Sequence, residues 1–578
     1  MLVLVALAVP IGLLSALVAK ALLWLIAELT NLVFFQRFSS VLPPLEHHHL
    51  GPWVIAAPVV GAVVIGLMAR YGSEKIRGHG IPEALEAILL GGSLVEAKVA
   101  LLKPISSAIS IGTGGPFGAE GPIIMTGGAF GSIIAQLFHL TAAERKTLLV
   151  AGAAGGMAAV FATPIAAVLL AVELLLFEWR PRSFVPVAVA SVVAALLRIP
   201  LLGAGPIFPV HAHGTLGATV IGWSVAIGVL VGFGSGLLTA LVYFCEDLFL
   251  KLPLHWMWWP ALGAVFVGLG GWFDPRVLGV GYRYINALLN GQIIGLTVLS
   301  LLCLKALVWS ISLGSGTSGG VLAPLLIIGG ALGVLAGQWV PAGDPGLWAM
   351  VAMAGIMGGT MRSPLTGMFF MLELTGDLNA LPALLCGSVA ALSVTVLLLR
   401  RSILTEKLAR RGQHIAREYS VDWFELIRVG EVMDRDVITI PTITPLKRYA
   451  ARIANGDALV CMHQGTLLAN QAGELAGIIT RGDVVRALEE APNGEMTVGE
   501  AGRKDLIVTY PDETLADAIA KLVRYDIGRL PVVERTNPKH AIGYLGRAGI
   551  LAARERYQRE EDIRQRGAAI RKVQERLV

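Results

Sequence analysis

Long apolar blocks fill the first 400 residues of the chain, and each has a length that predicts a membrane-spanning helix. Examples are residues 10–27, 53–68, 148–176 and 216–244. About 20 apolar residues in a helix cross the hydrocarbon core of a bilayer. After Arg401 charged residues become frequent, and short alternating segments replace the blocks. The pattern therefore predicts a helical, multi-pass membrane region followed by a soluble region.

Composition and charge support this division. Only 15% of the residues are charged and 55% are hydrophobic, with a mean hydropathy of +0.69, whereas soluble domains are about 25% charged. The basic residues Arg400, Arg401, Lys407, Arg410 and Arg411 follow the last apolar block. Because lysine and arginine beside membrane segments favour the cytoplasmic side, we expect a multi-pass cell-membrane protein with a cytoplasmic tail.

The membrane region contains an internal repeat. In each half a proline is followed nine residues later by a glutamate, and an earlier proline precedes this pair by 42 residues in one half and 40 in the other. The landmarks are Pro122, Pro164 and Glu173 in the first half and Pro324, Pro364 and Glu373 in the second. Duplicated halves are common in transporters, whose substrate sites lie where the halves meet. We predict halves at about residues 1–205 and 215–405, within a membrane domain of residues 1–415.

Glycine-rich segments precede predicted helix starts at matching places in both halves. They are residues 112–131 and 314–320, and a third break of this kind covers residues 77–83. Irregular backbone at membrane depth is tolerated where it lines a cavity or is buried in protein. The first amides of a helix lack partners and carry a partial positive charge, so they attract anions. The alternative is close helix packing through small residues, but repeat-equivalent placement favours an anion site.

Three short motifs occur in these segments. They are Gly78-His79-Gly80-Ile81-Pro82, Gly118-Ala119-Glu120-Gly121-Pro122 and Gly320-Val321-Leu322-Ala323-Pro324. Together with the repeat, they resemble the GSGIP, GREGP and GxFAP motifs of the CLC chloride channels and chloride/proton exchangers, over essentially the whole membrane region. The resemblance implies an all-α polytopic fold, an inverted repeat of two halves with broken helices. It also implies a homodimer in the lipid bilayer, with one pathway for chloride or a similar small anion in each subunit.

The resemblance carries a set of site residues onto this sequence. Glu120 matches the family's gating glutamate, and a carboxylate inside a membrane is costly unless it has a function. The carboxylate would compete with the anion for the same helix ends, so protonation would release the site and couple opening to pH. The anion-binding positions implied are His79, Gly80, Ile81, Gly118, Ala119, Gly121, Gly320, Val321 and Leu322. For Glu173 and Glu373 the repeat symmetry favours a structural role, such as bonding to exposed backbone.

The sequence departs from the family pattern at three pore positions. His79 replaces the selectivity serine, and an imidazole can still donate a hydrogen bond to an anion. Leu404 replaces the pore tyrosine, which removes a hydroxyl donor. Leu174 stands in place of the exchangers' inner proton-accepting glutamate, and because leucine carries no proton, water or Glu178 would have to serve instead. These losses favour a passive channel, with a chloride/proton antiporter as the alternative.

The soluble tail resembles a pair of CBS domains, the type named after cystathionine β-synthase. Short alternating phrases such as Val437-Ile438-Thr439-Ile440 follow a β-α-β-β-α rhythm. We predict a linker at 416–430, the first domain at 431–490, the second at 496–555 and a charged, helical C-terminal tail at 556–578.

One nucleotide site is predicted in the tail at most. In CBS domains a Thr or Ser and an Asp three residues later bind the ribose of an adenine nucleotide. Thr480 and Asp483 match this pattern in the first domain, whereas Gly546 and Gly549 stand at the matching positions of the second. The resemblance thus leaves at most one site for ATP, ADP or AMP; the alternative is a tail used only for dimer contact and stability.

Other protein classes fit the sequence less well. A CBS-regulated cation transporter should line its path with several acidic residues, and few occur in the apolar blocks. A membrane enzyme needs a group of catalytic residues. The sequence has no HExxH metalloprotease motif, and the Gly-Thr-Ser-Gly-Gly segment at residues 316–320 has no His or Asp nearby that could act as a base. The four cysteines lack metal-ligand spacing. We expect no enzyme activity, required cofactor, metal or nucleic-acid partner, while chloride, nitrate and fluoride are all compatible with the sequence.

Overall fold

The computed structural model describes residues 1–89, 93–410, 427–457, 465–491 and 495–555, and the single positions 424 and 460. Its internal contacts divide the chain into two compact units, Met1–Tyr419 and Ser420–Val578. The first unit is helical, and the second combines short strands with helices. This confirms the predicted fold class, an all-α membrane region followed by an α/β pair. Most of the predicted linker and all of the predicted tail at 556–578 lie outside the described residues.

Long apolar helices and shorter broken ones make up the first unit. In the described part of the chain, six helical segments have the length and composition to cross a membrane: Leu2–Phe35, Gly51–Tyr71, Pro181–Leu202, Ala218–Leu250, Leu296–Gly314 and Leu378–Arg410. In chain order the helices are α1 (Leu2–Phe35), α2 (Ala56–Tyr71), α3 (Ile81–Leu89), α4 (Ala97–Gly112), α5 (Glu120–Leu137), α6 (Ala142–Phe161), α7 (Pro164–Leu170), α8 (Pro181–Leu202), α9 (Ala218–Leu250), α10 (Trp259–Phe273), α11 (Tyr282–Leu289), α12 (Leu296–Gly314), α13 (Leu322–Gly337), α14 (Pro345–Met361), α15 (Pro364–Thr375), α16 (Leu381–Leu398) and α17 (Ile403–Arg410).

One predicted membrane helix is wrong. The apolar block at 148–176 is broken into the end of α6, the short helix α7 and a π-helical turn, Ala171–Leu176. Ala162 ends α6 in the left-handed conformation (φ +57°), and Pro164 starts a new helix because its fixed φ suits a first turn and it has no amide hydrogen to leave unpaired. Hydropathy alone does not reveal this break.

The order of packed helices repeats, as the sequence predicts. Helix α1 packs against α6 and α8, and α9 packs in the same way against α14 and α16. The pair α5 and α6 corresponds to α13 and α14. One large core of buried apolar residues contains residues of both halves, so the two halves fold against one another; residues 203–217 join them.

Two glutamates tie the halves together crosswise. Glu173 in the first half accepts hydrogen bonds from the first-turn amides of α15, and Glu373 in the second half does the same for α7. The four bonds run from Leu365 N (3.2 Å) and Thr366 N (2.8 Å) to Glu173, and from Ile165 N (3.0 Å) and Ala166 N (2.8 Å) to Glu373. Each carboxylate thus satisfies helix-start amides that have no partner within their own helix. This is the backbone-bonding role expected for the pair.

The second unit contains two small α/β arrangements. Its helices are α18 (Val429–Val432), α19 (Leu446–Ala454), α20 (Arg481–Glu490), α21 (Val498–Ala501) and α22 (Leu515–Arg524), and its strands are β1 (Thr439–Pro441), β2 (Gly465–Ala469), β3 (Leu475–Thr480), β4 (Arg529–Val533) and β5 (Ala541–Gly546). In the first arrangement β1 pairs in parallel with β2, which pairs antiparallel with β3. The elements β1, α19, β2, β3 and α20 follow the predicted β-α-β-β-α rhythm.

The second arrangement has two paired strands in the described residues, where the first has three. Strands β4 and β5 form an antiparallel pair, α22 precedes them and helical residues 547–555 follow. In place of a first strand, the described residues show an isolated bridge between Thr509 and Val532. The two arrangements also exchange segments. Ile427 and Val429 pack in the core of the second, and Val498 packs in the core of the first. The two therefore form one folded pair.

Candidate functional site

Three glycine-rich loops from both halves meet inside the first unit. Gly118 and Gly320 exchange backbone hydrogen bonds with N···O distances of 3.3 and 2.9 Å, so the loops ahead of α5 and α13 lie side by side. Gly80, ahead of α3, has φ +92°, and a Cβ atom there would lie 2.3 Å from the carbonyl oxygen of Gly121. Glycine alone tolerates such an approach in that conformation. The structure thus brings together the three segments that the sequence singled out.

Each of these loops ends where a helix begins. Helices α3, α5 and α13 start at Ile81, Glu120 and Leu322. The residues that precede α5 and α13 are Ala119 and Val321, and neither side chain caps its helix. First-turn amides are therefore available to another acceptor. All nine predicted anion-binding residues lie buried in these loops and first turns, namely His79, Gly80, Ile81, Gly118, Ala119, Gly121, Gly320, Val321 and Leu322.

The Glu120 side chain occupies the amide end of α13. Its Oε1 atom accepts a hydrogen bond from the backbone amide of Ala323 at 2.7 Å, and the residue is 0% exposed. Its other oxygen, Oε2, has no hydrogen-bond partner in the described part of the chain. A negative group at a helix start is stabilised by the unpaired amides and the helix dipole, and a free anion is bound by the same groups. The carboxylate and an anion would therefore compete for this place.

His79 and Gly78 line a cavity of about 860 Å³, whose wall also includes Met125 of α5 and Gly316 of the glycine-rich segment ahead of α13. Glu83 fixes the loop that carries His79, because its carboxylate accepts a hydrogen bond from the Gly80 amide (2.7 Å) and pairs with Lys407 (2.8 Å). The cavity wall also includes Glu86 and residues at the start of α17. We call this space the inner cavity. Its wall combines an imidazole with several carboxylates and basic side chains.

Two fully buried lysines, which the sequence analysis did not single out, hold the loops in place. Each Nζ atom donates to two backbone carbonyls that lie two residues apart. The bonds run from Lys103 to Ile76 O (2.8 Å) and Gly78 O (2.6 Å), and from Lys305 to Val277 O (2.8 Å) and Gly279 O (3.2 Å). The repeat contained the signal, since Pro122 follows Lys103 by 19 residues and Pro324 follows Lys305 by 19.

The second lysine marks a fourth loop, residues 279–281, which corresponds to residues 78–80 of the first half. Helix α11 starts directly after this loop at Tyr282. The Tyr282 ring packs edge-on against Phe161 and Phe208, with centroid distances of 6.2 and 5.9 Å. Tyr282 also lines two cavities of about 550 and 320 Å³. We call these two spaces the outer cavities.

The inner and outer cavities lie at opposite ends of α12. Leu313 and Gly314, at the end of this helix, line the inner cavity, whereas Gln292, just before its start, lines an outer cavity. The 19 residues of α12 span about 28 Å at 1.5 Å per residue. The inner cavity and this outer cavity are therefore separated by about the length of α12.

The two lost pore positions are buried and apolar. Leu174 lies in the π-helical turn after α7 and is 5% exposed, and Leu404 lies in the first turn of α17 and is 1% exposed. Tyr243 of α9 lines the inner cavity together with Ile403, which precedes Leu404 in the chain. Its hydroxyl donates to the Ile403 carbonyl, so this phenol is fixed to backbone and does not supply the missing donor.

A histidine on the connection between the halves sits between two aspartates. His213 Nε2 lies 2.8 Å from Asp344 and Nδ1 lies 2.5 Å from Asp377. The hydrogen bond to Asp344, followed by that to Asp377, raises the pKa of His213 to about 9 although burial opposes this. The same bond lowers the pKa of Asp344. At neutral pH the imidazolium therefore links this connection to the start of α14 and the end of α15.

In the tail, Thr480 and Asp483 bind each other. The Thr480 hydroxyl and amide donate to the Asp483 carboxylate at 2.6 and 2.9 Å, and the Asp483 amide donates back at 3.2 Å. This reciprocal pair caps the start of α20. In the second CBS arrangement the corresponding Gly546 and Gly549 offer no side chain. The two predicted nucleotide-binding residues thus cap the start of α20.

Broken helices whose amide ends meet around a buried carboxylate define a membrane protein that transports small anions. The chain belongs to the voltage-gated chloride channel (CLC) family, because the family described as "Voltage gated chloride channel" matches residues 60–396. The CBS domain family matches residues 429–490 and 498–556.

Curated relatives support this assignment. The chain is 31% identical over 375 residues to "Voltage-gated ClC-type chloride channel ClcB" of Escherichia coli O81 (strain ED1a), and the match covers 63% of this chain and 89% of that relative. A protein of the same name from Shigella boydii serotype 18 (strain CDC 3083-94 / BS512) matches with the same identity and coverage.

Solved structures share the fold. A slow cyanobacterial Cl⁻/H⁺ antiporter superimposes with a TM-score of 0.63 at 22% identity, covering 72% of this chain and 99% of the other. A eukaryotic CLC transporter gives 0.59 at 18% identity and covers 94% of this chain and 97% of its own. A CLC-type fluoride/proton antiporter gives 0.59 at 21% identity, covering 68% and 95%.

Proposed function

We propose that the protein passes chloride, or a similar small anion, through a pathway that Glu120 gates. The observation that carries this proposal is the bond from the Ala323 amide to the Glu120 carboxylate, because a negative group already occupies the helix end that an anion would use. An anion must displace the carboxylate, or a proton must neutralise it, before the pathway opens. Chloride is the ion named for the curated relatives.

We favour passive conduction over exchange. Leu174 is apolar and buried at the position where exchangers of the family carry a proton acceptor, and the nearby Glu173 is engaged by the start of α15. The expected proton acceptor is therefore missing at this position, which favours passive conduction. The curated relatives are named channels.

Chloride/proton exchange is the second candidate, and one observation favours it. Glu86 lines the same inner cavity as His79, so titratable side chains are present on the inner side even though Leu174 is not titratable. Two of the solved structures with this fold are described as proton antiporters. In this alternative, Glu86 takes the place of the lost inner glutamate.

The reversal potential of the purified protein in planar bilayers decides between the two. With chloride equal on both sides and a tenfold proton gradient, a passive pathway reverses at zero. A reversal potential that moves with the proton gradient contradicts passive conduction. If the shift disappears in Glu86→Gln and persists in the surface variant Glu96→Gln, the proton path through Glu86 is supported.

The assembly and the tail belong to the same proposal. We infer a homodimer in the cell membrane with one pathway per subunit, and a CBS pair on the cytoplasmic side. The excess of basic residues after the last apolar block supports this orientation. The tail would modulate transport through an adenine nucleotide bound near Thr480 and Asp483.

A further inference from the structure

The hydroxyl of Tyr282 is a buried polar group without a hydrogen-bond partner in the described part of the chain. Buried hydroxyls are almost always bonded, because losing water without gaining a partner is unfavourable. The ring itself is held by edge-on contacts with Phe161 and Phe208, and a phenylalanine would make the same contacts. Packing therefore accounts for the ring and leaves the hydroxyl unexplained.

The hydroxyl lies beside the gate. It is close enough to the Glu120 carboxyl to interact with it electrostatically, although no hydrogen bond joins them. The Oε2 atom of Glu120 also has no partner among the described residues. A buried hydroxyl without a partner thus lies within electrostatic range of a buried carboxylate that has one unbonded oxygen.

The repeat relates the position of Tyr282 to that of His79. The loop at 78–80 presents His79 to the inner cavity, and the equivalent loop at 279–281 is followed at once by Tyr282, which lines the outer cavities. Each of the two equivalent loops therefore brings a side chain that can donate a hydrogen bond to the wall of its cavity. At the outer cavities it is the Tyr282 phenol.

We propose that the Tyr282 hydroxyl is the docking partner of the Glu120 carboxyl after an anion has displaced it from the Ala323 amide. This inference rests on the proposed gating function. In the closed state the Glu120 carboxylate accepts a hydrogen bond from the Ala323 amide, and the Tyr282 hydroxyl is not bonded to it. In the open state the anion takes the amide, and the carboxyl is held on the outer side by the phenol. The hydrogen bond stabilises the open state and leaves the closed state unchanged.

The test is a double-mutant cycle on chloride flux from liposomes that contain the purified full-length protein. Tyr282→Phe removes one oxygen and keeps the ring. Loss of a hydrogen bond to a charged carboxylate from the open state is expected to lower flux about ten- to a hundredfold. In the Glu120→Ala background no carboxyl needs docking, so adding Tyr282→Phe is expected to change flux less than twofold. Tyr284→Phe, the same change two residues along α11, is the matched control and should behave as wild type.

Two results would overturn the proposal. Unchanged flux in Tyr282→Phe would show that the hydroxyl does not stabilise the open state. An equal loss in the wild-type and Glu120→Ala backgrounds would show that the hydroxyl acts on the anion or on the fold instead of on Glu120. The proposed gating function fails separately, if Glu120→Ala by itself does not raise flux.

Discussion

Removing the carboxylate of Glu120 should open the anion pathway permanently. In Glu120→Ala the amide end of α13 loses its intramolecular acceptor and is free for an anion at all times. Glu120→Gln removes the charge and keeps the size. We expect both variants to conduct faster than wild type and to lose the pH dependence that protonation of the carboxylate confers.

The geometry sets the size of the effect. Oε1 accepts a 2.7 Å hydrogen bond from Ala323 inside a fully buried site. A hydrogen bond to a charged group contributes about 1.5–3 kcal/mol, and each 1.4 kcal/mol corresponds to about tenfold in an equilibrium constant. Displacing the carboxylate therefore holds back conduction about ten- to a hundredfold. Glu120→Ala should recover this factor where displacement limits the rate.

The assay is chloride efflux from liposomes between pH 5 and 8. Wild-type efflux should rise toward acidic pH, because the protonated carboxyl no longer competes for the amides, whereas both variants should give flat, high profiles. Glu96→Ala, which removes an exposed carboxylate paired with Lys75, is the control and should keep the wild-type profile. Wild-type flux and pH response in Glu120→Ala would refute the gating role.

Three further predictions concern other parts of the chain. His213 has a raised pKa, so its stabilisation is fully present below about pH 6.5 and is lost as the pH rises through about 9. His213→Gln should lower the free energy of unfolding by about 1–3 kcal/mol near pH 6 and flatten the pH dependence of thermal melting. Lys305→Met leaves two buried carbonyls unbonded and should destabilise the protein by about 2–5 kcal/mol, measured as thermal stability in detergent. Asp483→Ala should weaken ATP binding to the full-length protein at least tenfold, measured by calorimetric titration.

Each of these predictions has a matched control. His211→Gln changes an exposed histidine of the same connection and should leave the pH dependence of melting intact. Lys305→Arg keeps a cationic donor and should retain more stability than Lys305→Met; equal losses would contradict the carbonyl-bonding role. Asp517→Ala disrupts a similar capping pair in the tail without touching the predicted site. Equal ATP affinity in Asp483→Ala and wild type would exclude a nucleotide site at Thr480 and Asp483.

Local signals made much of this architecture predictable. Glycines and prolines mark where helices must start or stop, so the loops at 78–82, 118–122 and 320–324 were evident in the sequence, and the spacing from Pro164 to Glu173 revealed the repeat. The partners of these residues were not evident, because a carboxylate at 173 reaches amides 192 and 193 residues away. The carbonyl-binding role of Lys103 and Lys305 was not predicted, because a single lysine in an apolar helix can also extend its side chain to place the ammonium group at the membrane surface. Their equal distance from the motif prolines was the available signal.

The crosswise bonds of Glu173 and Glu373 have a consequence for biogenesis. The amides at the start of α7 are synthesised 208 residues before the carboxylate that accepts from them. At about 5–20 residues per second, the first half waits on the order of 10–40 s with these groups unsatisfied. Unbonded amides are not stable in lipid, so water or a translocation partner must shelter the nascent first half until the second arrives. Chains truncated before Glu373 should therefore be degraded instead of accumulating as half-transporters.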